Sequence, residues 1–337
     1  MPHDPNKKSK VASVVKYLAL LVLAGVLLYF SFKGVKWSDF IEGLKNCNWV
    51  WIVVSMAVGV LGFLARALRW RLLMLPLNKE ITNREAFDGV NVAYLTNFAF
   101  PRAGEVARCG VMAKTGKISF EGALGTVVLE RVVDLLTLII WVLVVLLIRW
   151  QEFGSFMKEN LFEPLMGKFS SAIVPIAIIV AVMVLGGFLL WHYRESIIKN
   201  RVFAKIFGII NGLKDGLLTA FKMEHKGLFF LYTLLLWGTY WLTSMCTILA
   251  FPQVSSLNAV DALFLMVIGG LGWVVPVQGG LGAYHYIVSL TLAAVYSIPQ
   301  VTGVIFATIS HEAQALTMIV CGLLSFISIS AWNKKRN

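Results

Sequence analysis

Charged residues are scarce in this sequence. Asp, Glu, Lys and Arg together make up 14% of the 337 residues, whereas 58% are hydrophobic and the mean hydropathy is +0.77. Soluble domains typically carry about 25% charged residues, so the composition excludes a large water-soluble domain. Several uncharged stretches of about 20 residues are long enough to cross a hydrocarbon core about 30 Å thick. We therefore expect a protein that is embedded in a lipid membrane.

The sequence also lacks the motifs of ATPases and of common soluble enzymes. It contains no Walker loop, dinucleotide fingerprint, nucleophile elbow or zinc-protease motif. This argues against ATP-driven pumping within the chain, and we expect no catalytic residue, no cofactor and no metal. The cysteines are isolated and lie mostly in apolar segments, so their spacing predicts neither a disulfide nor a zinc site. They are Cys47, Cys109, Cys246 and Cys321.

Positive charges outnumber negative ones, and the formal net charge is +12. The basic residues lie in short loops between apolar runs rather than on one soluble face, so we do not expect a nucleic-acid partner. Lys and Arg concentrate on the cytoplasmic side of membrane proteins, where they meet anionic lipid. The distribution of charge therefore indicates how the chain is oriented.

The apolar segments predict an all-α polytopic membrane protein with six full crossings. These are residues 13–32, 48–70, 120–148, 171–192, 227–251 and 302–331. The first crossing follows Lys7, Lys8 and Lys10, as a signal peptide would. It is longer than a typical signal core and lacks a convincing cleavage site, so we expect a retained helix.

Two further apolar stretches, 86–118 and 259–298, are each interrupted in the middle. Pro101 and Gly104 break the first stretch. The residues that break the second are Pro276, Gly279, Gly280 and Gly282. Neither stretch suits one ordinary helix. We expect two broken or re-entrant helical hairpins, although two ordinary short helices in each would preserve the topology.

Charge counting places both termini in the cytoplasm, because basic clusters lie at both ends of the chain. The segment 193–226 holds seven basic residues and is expected to be a cytoplasmic connection. Counted in order, the first hairpin starts from the cytoplasmic side and the second from the opposite side. We expect one integral membrane domain, 1–337, with two inverted repeats, 48–148 and 227–331, whose broken helices line a cavity.

The stretch after Pro101 carries charges at three-residue spacing, namely Arg102, Glu105 and Arg108. In a half-helix that begins after Pro101 they share one face, and Glu105 can pair with either arginine. The helix start would add unpaired N–H groups and a partial positive charge, so the segment predicts a phosphate cradle. A solvated cytoplasmic turn is the alternative.

Three ionisable residues interrupt the crossing 120–148, namely Glu130, Arg131 and Asp134. Glu130 and Asp134 are four residues apart and lie on one face, with Arg131 in reach of Asp134. A charge at the bilayer centre costs at least about 2.5–3.5 kcal/mol, so these groups should point into the bundle. They would balance the arginines of the cradle or relay protons. Alternatively, these charges have only a structural role and hold two helices together.

Two arginines lie near the cytoplasmic end of 48–70. Arg66 and Arg69 are three residues apart and, with Trp70, could hold a lipid head group. Interface anchors that snorkel to the membrane surface would show the same pattern.

In the second hairpin, Gly279, Gly280 and Gly282 permit a sharp reversal and a close approach of a ligand to the backbone. His285 follows them and can change charge near neutral pH, which suits proton coupling. A histidine that is hydrogen-bonded within a helix interface is equally consistent. His311 and Glu312 are adjacent and hence on different faces, so we expect only one of them to face the cavity.

Together these motifs resemble one family. They are the arginines of 66–70, the Pro-Arg-Ala-Gly-Glu run at 101–105 with Arg108, the charges at 130, 131 and 134, and the Gly-Gly-Leu-Gly run at 279–282. Over roughly 15–330 the sequence is similar to the lysylphosphatidylglycerol synthase transmembrane family, also described as flippase-like inner-membrane proteins. His285 departs from the family pattern, which usually has a glutamate after the glycines.

The resemblance implies a lipid-translocating module rather than a synthase. In two-part members, such a membrane domain translocates aminoacylated phosphatidylglycerol, and a separate soluble domain makes it. We expect a flippase for an anionic phospholipid or polyprenyl-phosphate-type lipid in the bacterial cytoplasmic membrane, with a homo-oligomer or a separate lipid synthase as a further partner. The alternatives are a lipid-modifying transferase with Glu105 or His285 as general base, and a non-transporting partner of a lipid synthase.

Overall fold

The computed structural model describes residues 5–150, 211, 218–219, 221–275 and 277–334, and in the first and last helices it describes side chains between residues 19 and 331. Every regular element in these ranges is a helix, which confirms the predicted all-α class. The helices are α1 (Pro5–Phe32), α2 (Trp37–Lys45), α3 (Trp49–Met74), α4 (Asn83–Ala99), α5 (Gly104–Lys114), α6 (Phe120–Ile148), α7 (Lys226–Ala250), α8 (Ala259–Val274), α9 (Ala283–Tyr296) and α10 (Gln300–Lys334). Short 3-10 turns at Pro252–Val254 and Gln278–Gly280 precede α8 and α9.

Within the described ranges, four helices are long and apolar enough to cross a membrane, namely α3, α6, α7 and α10. As candidate spans, they coincide to within a few residues with the predicted crossings 48–70, 120–148, 227–251 and 302–331. Ala19–Phe32 of α1 counts as a fifth span only together with α2, from which it is bent by 82°. The predicted crossing 171–192, most of the segment 193–226 and Pro276 lie outside the described residues.

The predicted break in 86–118 is present between α4 and α5. Thr82 caps α4, because its hydroxyl accepts from the Glu85 N–H while the Glu85 carboxylate accepts from the Thr82 N–H. With 11 residues, α5 is about 16 Å long and cannot be a full crossing. Lys117, just beyond α5, donates to Glu85 at 2.9 Å. The start of α4 and the end of α5 therefore lie side by side, and we call this end the first-hairpin base.

α8 and α9 form a second broken pair. Asn258 caps α8, whose first turn holds Asp261. Tyr296, the last residue of α9, donates to Asp261 Oδ1 at 3.0 Å. The outer ends of this pair thus also lie side by side, and we call them the second-hairpin base. Between the helices, positive φ angles, which glycine adopts without steric cost, occur at Gly279, Gly280 and Gly282.

α6 reaches from one hairpin base to the other. It begins at Phe120, three residues after Lys117 of the first-hairpin base. Arg149, its C-cap residue, lies 3.6 Å from Asp261 Oδ1 at the second-hairpin base. A helix of 29 residues is about 43 Å long, so the two bases lie at opposite ends of α6.

α3 and α7 pack against each other antiparallel. The Asn48 N–H donates to the Ala250 carbonyl at 2.8 Å at one end of the pair. Lys79 pairs with Glu224 at 3.0 Å beyond the other end. α10 packs along α4 and α9. The outer faces of the long helices expose large apolar side chains such as Leu147, as expected of faces that meet lipid.

The two breaks contact each other. The guanidinium of Arg102, in the first break, donates to the carbonyl of Val274 at the end of α8. Phe98, at the end of α4, lies against Gly279, where a Cβ atom would be 2.7 Å from the Phe98 ring. Side chains of the first hairpin therefore cover part of the interrupted backbone of the second.

Candidate functional site

Three arginines and two carboxylates from three helices form a mostly buried group, which we call the arginine cluster. Its members are Arg66 and Arg69 on α3, Arg108 on α5, and Glu130 and Asp134 on α6. All except Asp134 are at most 6% exposed. Helical spacing places the two members from α3 on one face and the two from α6 on another. The break in the first hairpin lets α5 pack against α6 and complete the cluster.

Glu130 is at the centre of the arginine cluster. Its Oε1 accepts from Arg66 Nε at 2.8 Å and from Arg69 Nη2 at 3.1 Å. Its Oε2 accepts from Arg108 Nη1 at 2.7 Å. Arg69 Nη2 also donates to Asp134 Oδ1 at 2.6 Å. One carboxylate therefore holds all three guanidiniums together.

The arginine cluster holds more positive than negative charge. Three guanidiniums face two carboxylates, which leaves a net charge of one positive. In the described part of the chain, buried guanidinium nitrogens without a hydrogen-bond partner are Arg66 Nη2, Arg69 Nε and Nη1, and Arg108 Nε and Nη2. A buried donor without a partner costs about 1–3 kcal/mol, and more when it is charged. Both features are typical of a site that accepts an anion, because phosphate oxygens take paired N–H donors from arginine.

Neighbouring side chains hold the arginines in place, and the sequence gave no reason to select two of them, Tyr94 and Thr126. The Tyr94 hydroxyl on α4 accepts from Arg66 Nη1 at 3.0 Å. Trp70, which we expected beside a lipid head group, is fully buried. The Arg108 guanidinium carbon lies 4.7 Å from the centre of the Trp70 ring, and Trp70 Nε1 donates to Thr126 Oγ1 at 2.9 Å. Trp70 therefore supports an arginine rather than an exposed ligand.

A second ion pair forms the edge of the arginine cluster. Glu105 accepts from Arg131 Nη2 at 2.7 Å, and Arg131 Nη1 lies 3.8 Å from Asp134, as its spacing predicted. The expected pairing of Glu105 with Arg102 or Arg108 is wrong, because α5 turns Glu105 toward α6. The Arg131 side chain is 42% exposed and the Asp134 side chain 20%. This edge is therefore the open side of an otherwise closed cluster.

Arg102 does not join the arginine cluster. It precedes α5 with a φ of 63°, outside the helical repeat that carries Arg108, and its exposed side chain contacts the second hairpin. The first N–H group of α5, at Gly104, donates to Asn97 Oδ1 at 2.7 Å. The predicted cradle of Arg102 and Arg108 at a helix start is thus wrong, and the two arginines of α3 accompany Arg108 instead. A role for Arg102 in binding substrate stays a prediction.

A second group of titratable side chains lies beside the second break, and we call it the histidine cluster. It consists of His285 on α9 and of His311 and Glu312 on α10. His311 Nδ1 is 2.9 Å from Glu312 Oε1, and His285 Nε2 is 3.8 Å from the same oxygen. His311 Nε2 contacts the carbonyl oxygen of Gly279 at 2.9 Å. The Glu312 side chain folds back toward both histidines. The expectation that only one of His311 and Glu312 faces the cavity stays a prediction.

Most of the chain matches the model of a known family. That model is described as the lysylphosphatidylglycerol synthase TM region, and it matches residues 17–322. The matched range includes the arginine cluster and the histidine cluster. No match was found among curated proteins or among solved structures.

Proposed function

This chain belongs to the lysylphosphatidylglycerol synthase TM region family, and from that premise we propose that it moves an anionic, phosphate-bearing lipid between the leaflets of the cytoplasmic membrane. The family and the apolar helices make it a multi-pass membrane protein with a lipid-related role. The observation that carries the proposal further is the arginine cluster, with its surplus charge and its unpaired donors.

The arginine cluster suits the head group of an anionic lipid. Its net charge of one positive is neutralised by one phosphodiester group, which carries a single negative charge. The phosphate oxygens can accept from the donors that Glu130 and Asp134 leave unpaired on the three arginines. A buried charge without a counter-ion is strongly unfavourable, so an anion that enters the cluster stabilises it.

We propose that the ion pairs of the cluster open and re-form during transport. Without cargo, Glu130 and Asp134 hold the guanidiniums. An arriving phosphate approaches at the exposed edge, where Arg131 pairs with Glu105, and competes with the carboxylates for the same N–H donors. After the phosphate has left, the carboxylates pair with the guanidiniums again and limit the net charge of the empty cluster to one positive.

The placement of the two hairpins supports a path between them. Their bases lie at opposite ends of α6, about 43 Å apart along its axis. We infer that the hairpins approach from opposite sides, and that 48–148 and 227–331 are inverted repeats, as in many membrane transporters. Unwound backbone at membrane depth has to face protein or water rather than lipid. The residues that provide it in the second hairpin include Gly279, Gly280 and Gly282.

The orientation follows from the same arrangement. Basic residues gather around the first-hairpin base, including Lys79, Arg84, Lys114 and Lys117. Positive charge near short loops favours the cytoplasmic side. We therefore propose that the first-hairpin base and both chain termini are cytoplasmic, and that the second-hairpin base lies on the opposite side.

The proposal is tested by lipid exchange in liposomes that contain the purified protein. Fluorescent anionic and zwitterionic lipids are compared for the wild type and for Arg108→Lys. This substitution keeps the charge and can keep the contact with Glu130, but it removes Nε and Nη2 of Arg108 and with them the planar pair of donors that suits a phosphate. The matched control is Arg84→Lys at an exposed arginine of α4. Apparent Tm in detergent shows whether each variant is folded.

We expect Arg108→Lys to lose exchange of anionic lipid while Arg84→Lys keeps it. Equal exchange of anionic lipid in both variants would show that the arginine cluster does not bind the transported lipid. If the wild type exchanges no lipid but forms a new lipid species, the chain is a transferase, and Glu105 and His285 are the bases to test. If it binds lipid without exchange or chemistry, it serves as the partner of a separate synthase.

A further inference from the structure

The histidine cluster brings three metal-binding groups together at the second break. His285, His311 and Glu312 each place one metal-binding atom within 4.8 Å of those of the other two. Both histidines are 1% exposed, whereas the Glu312 side chain is 52% exposed. The cluster lies apart from the arginine cluster, and the proposed transport mechanism does not use it.

The hydrogen bond to Gly279 fixes which nitrogen of His311 is free. A carbonyl oxygen can only accept, so the His311 Nε2 that contacts it at 2.9 Å carries the hydrogen. In the neutral ring, Nδ1 then presents its lone pair, and it points at Glu312 Oε1 from 2.9 Å. Two electron-pair donors at this distance repel each other unless a cation lies between them. A carbonyl that holds the other nitrogen of a metal-binding histidine is the usual supporting contact in metal sites.

The position of His285 favours a metal ion over a proton as the cation between His311 and Glu312. Its Nε2 is 3.8 Å from Glu312 Oε1, which is beyond hydrogen-bond distance. A proton shared by His311 and Glu312 would leave His285 Nε2 facing the carboxylate without a bond to it. A metal ion between the three groups would engage His285 as well.

The distances between the three groups also suit a metal ion. Bonds of about 2.0–2.2 Å from zinc to imidazole nitrogen and carboxylate oxygen place neighbouring ligands about 3–4 Å apart. The observed separations from Glu312 Oε1 are 2.9 Å to His311 and 3.8 Å to His285. Two imidazoles and one carboxylate suit Zn²⁺ and related divalent transition metals rather than Ca²⁺ or Mg²⁺, which prefer oxygen ligands.

We propose that His285, His311 and Glu312 bind one divalent transition-metal ion, with Zn²⁺ as the simplest occupant. The ion would join α9 to α10 and, through His311, hold the carbonyl of Gly279 at the second break. Three protein ligands leave a coordination position for water or another small ligand. The exposed side of Glu312 provides access to it. The sequence gave no sign of this site, because the spacing from His285 to His311 matches no metal motif.

The test is zinc binding by the full-length protein in detergent, purified with a tag that contains no histidine. After treatment with a chelator, the protein is loaded with Zn²⁺ and separated from free ion, and zinc per chain is measured by mass spectrometry. Affinity is measured by competition with a zinc-sensitive dye. The variants are Glu312→Gln, at a half-exposed position that should fold, and His285→Gln. The matched control is His225→Gln, at an exposed histidine before α7.

We expect one zinc ion per chain in the wild type and in His225→Gln. Glu312→Gln and His285→Gln should bind zinc at least about 100-fold more weakly, which is the upper end of the loss seen for supporting residues. Zinc should raise the apparent Tm of the wild type but not of Glu312→Gln. X-ray absorption should show nitrogen and oxygen ligands at about 2.0–2.2 Å.

Two results would overturn the proposal. One is a folded wild-type protein that retains no Zn²⁺ after loading, in which case a proton shared by His311 and Glu312 is the cation. The other is equal zinc affinity in the wild type and in folded Glu312→Gln, which would place the bound ion elsewhere on the surface. Neither result bears on lipid exchange, so the two proposals fail independently.

Discussion

Glu130 contacts three guanidiniums through both of its oxygens, and its removal tests how far the arginine cluster depends on one residue. Glu130→Gln leaves buried positive charge unpaired, and loss of one partner from a buried ion pair costs about 3–5 kcal/mol. We expect a marked fall in apparent Tm in detergent. Glu105→Gln, at the exposed edge, is the matched control and should cost about 1 kcal/mol or less. Similar falls in apparent Tm in the two variants would contradict the expectation that the arginine cluster depends on Glu130.

Arg102 is one of two described non-glycine residues with a positive φ, the other being Ser297. The left-handed conformation costs a residue with a Cβ atom about 1–2 kcal/mol, whereas glycine adopts it freely. Arg102→Ala keeps this strain and loses the bond to Val274, while Arg102→Gly loses the bond but relieves the strain. We therefore expect Arg102→Gly to have the higher apparent Tm. An equal or higher Tm for the alanine variant would show that the backbone is not held in this conformation.

Helical spacing predicted one of the charge pairs within a helix, but it could not predict the pairs between helices. Helical spacing alone joined Arg131 to Asp134, and the structure confirms that contact. Arg66 and Glu130 are 64 residues apart in the chain, and their contact depends on how α3 and α6 pack. The sequence identified Arg66 as a possible ligand of a lipid head group and Glu130 as a charge that points into the bundle, but it could not say that they are partners of each other.

At the scale of elements, the lack of a side chain at Gly104 allows the start of α5 to lie close to α4. A Cβ atom there would overlap the Ala93 carbonyl oxygen and lie 2.6 Å from Asn97 Nδ2. Gly104→Ala should therefore shift α5 and lower stability by about 1–3 kcal/mol, measured as apparent Tm. The matched control is Gly110→Ala on the same helix, where a Cβ has open space. It should be neutral or slightly stabilising, and equal losses in both variants would argue against the close contact.

The stability of the first-hairpin base should depend on pH. Burial alone would raise the pKa of Glu85, but hydrogen bonds from Thr82 and the interaction with Lys117 bring its pKa below the ordinary value. A carboxyl with a lowered native pKa stabilises the fold above its unfolded-state pKa of about 4.3. That stability is lost as the pH falls through the native pKa.

Glu85→Gln should accordingly have a lower apparent Tm than the wild type at neutral pH. The difference should shrink as the pH falls below about 4.3, because the wild-type carboxyl then becomes protonated. Asp39→Asn, at an exposed carboxyl in the first turn of α2, provides a control for acid effects in general. A difference between Glu85→Gln and the wild type that stays constant with pH would show that the charge of Glu85 does not stabilise the hairpin base.

Long apolar runs predicted helices closely, whereas bends were harder to foresee. The crossing 120–148 coincides with α6, and proline and glycine marked both broken pairs. α2 was not predicted, because its nine residues mix polar and apolar side chains and form no apolar run. Its 82° angle to α1 arises between Phe32 and Trp37, where Gly34 has a φ of 85°. A glycine in a short linker does not by itself indicate the direction of a turn.

At the scale of the whole molecule, the proposed inverted repeat predicts that the hairpin bases face opposite sides of the membrane. Lys114→Cys lies at the first base and Ser256→Cys near the second, both at exposed positions. Each is introduced after the four native cysteines have been replaced by serine. A membrane-impermeant thiol reagent should label them from opposite sides in sealed vesicles of known orientation. Labelling of both from the same side would exclude the inverted repeat.

The surplus charge of the arginine cluster exposes the protein to the membrane potential. Arg66 lies about 12 Å along α3 from its end at Met74, so the cluster sits partway across the electric field. An elementary charge that crosses the whole field changes in energy by about 2.3 kcal/mol per 100 mV. A cluster neutralised by a singly charged head group is insensitive to voltage, whereas the empty cluster is not. If the chain carries lipid as we propose, voltage acts on the return of the empty carrier and determines on which side the vacant site waits.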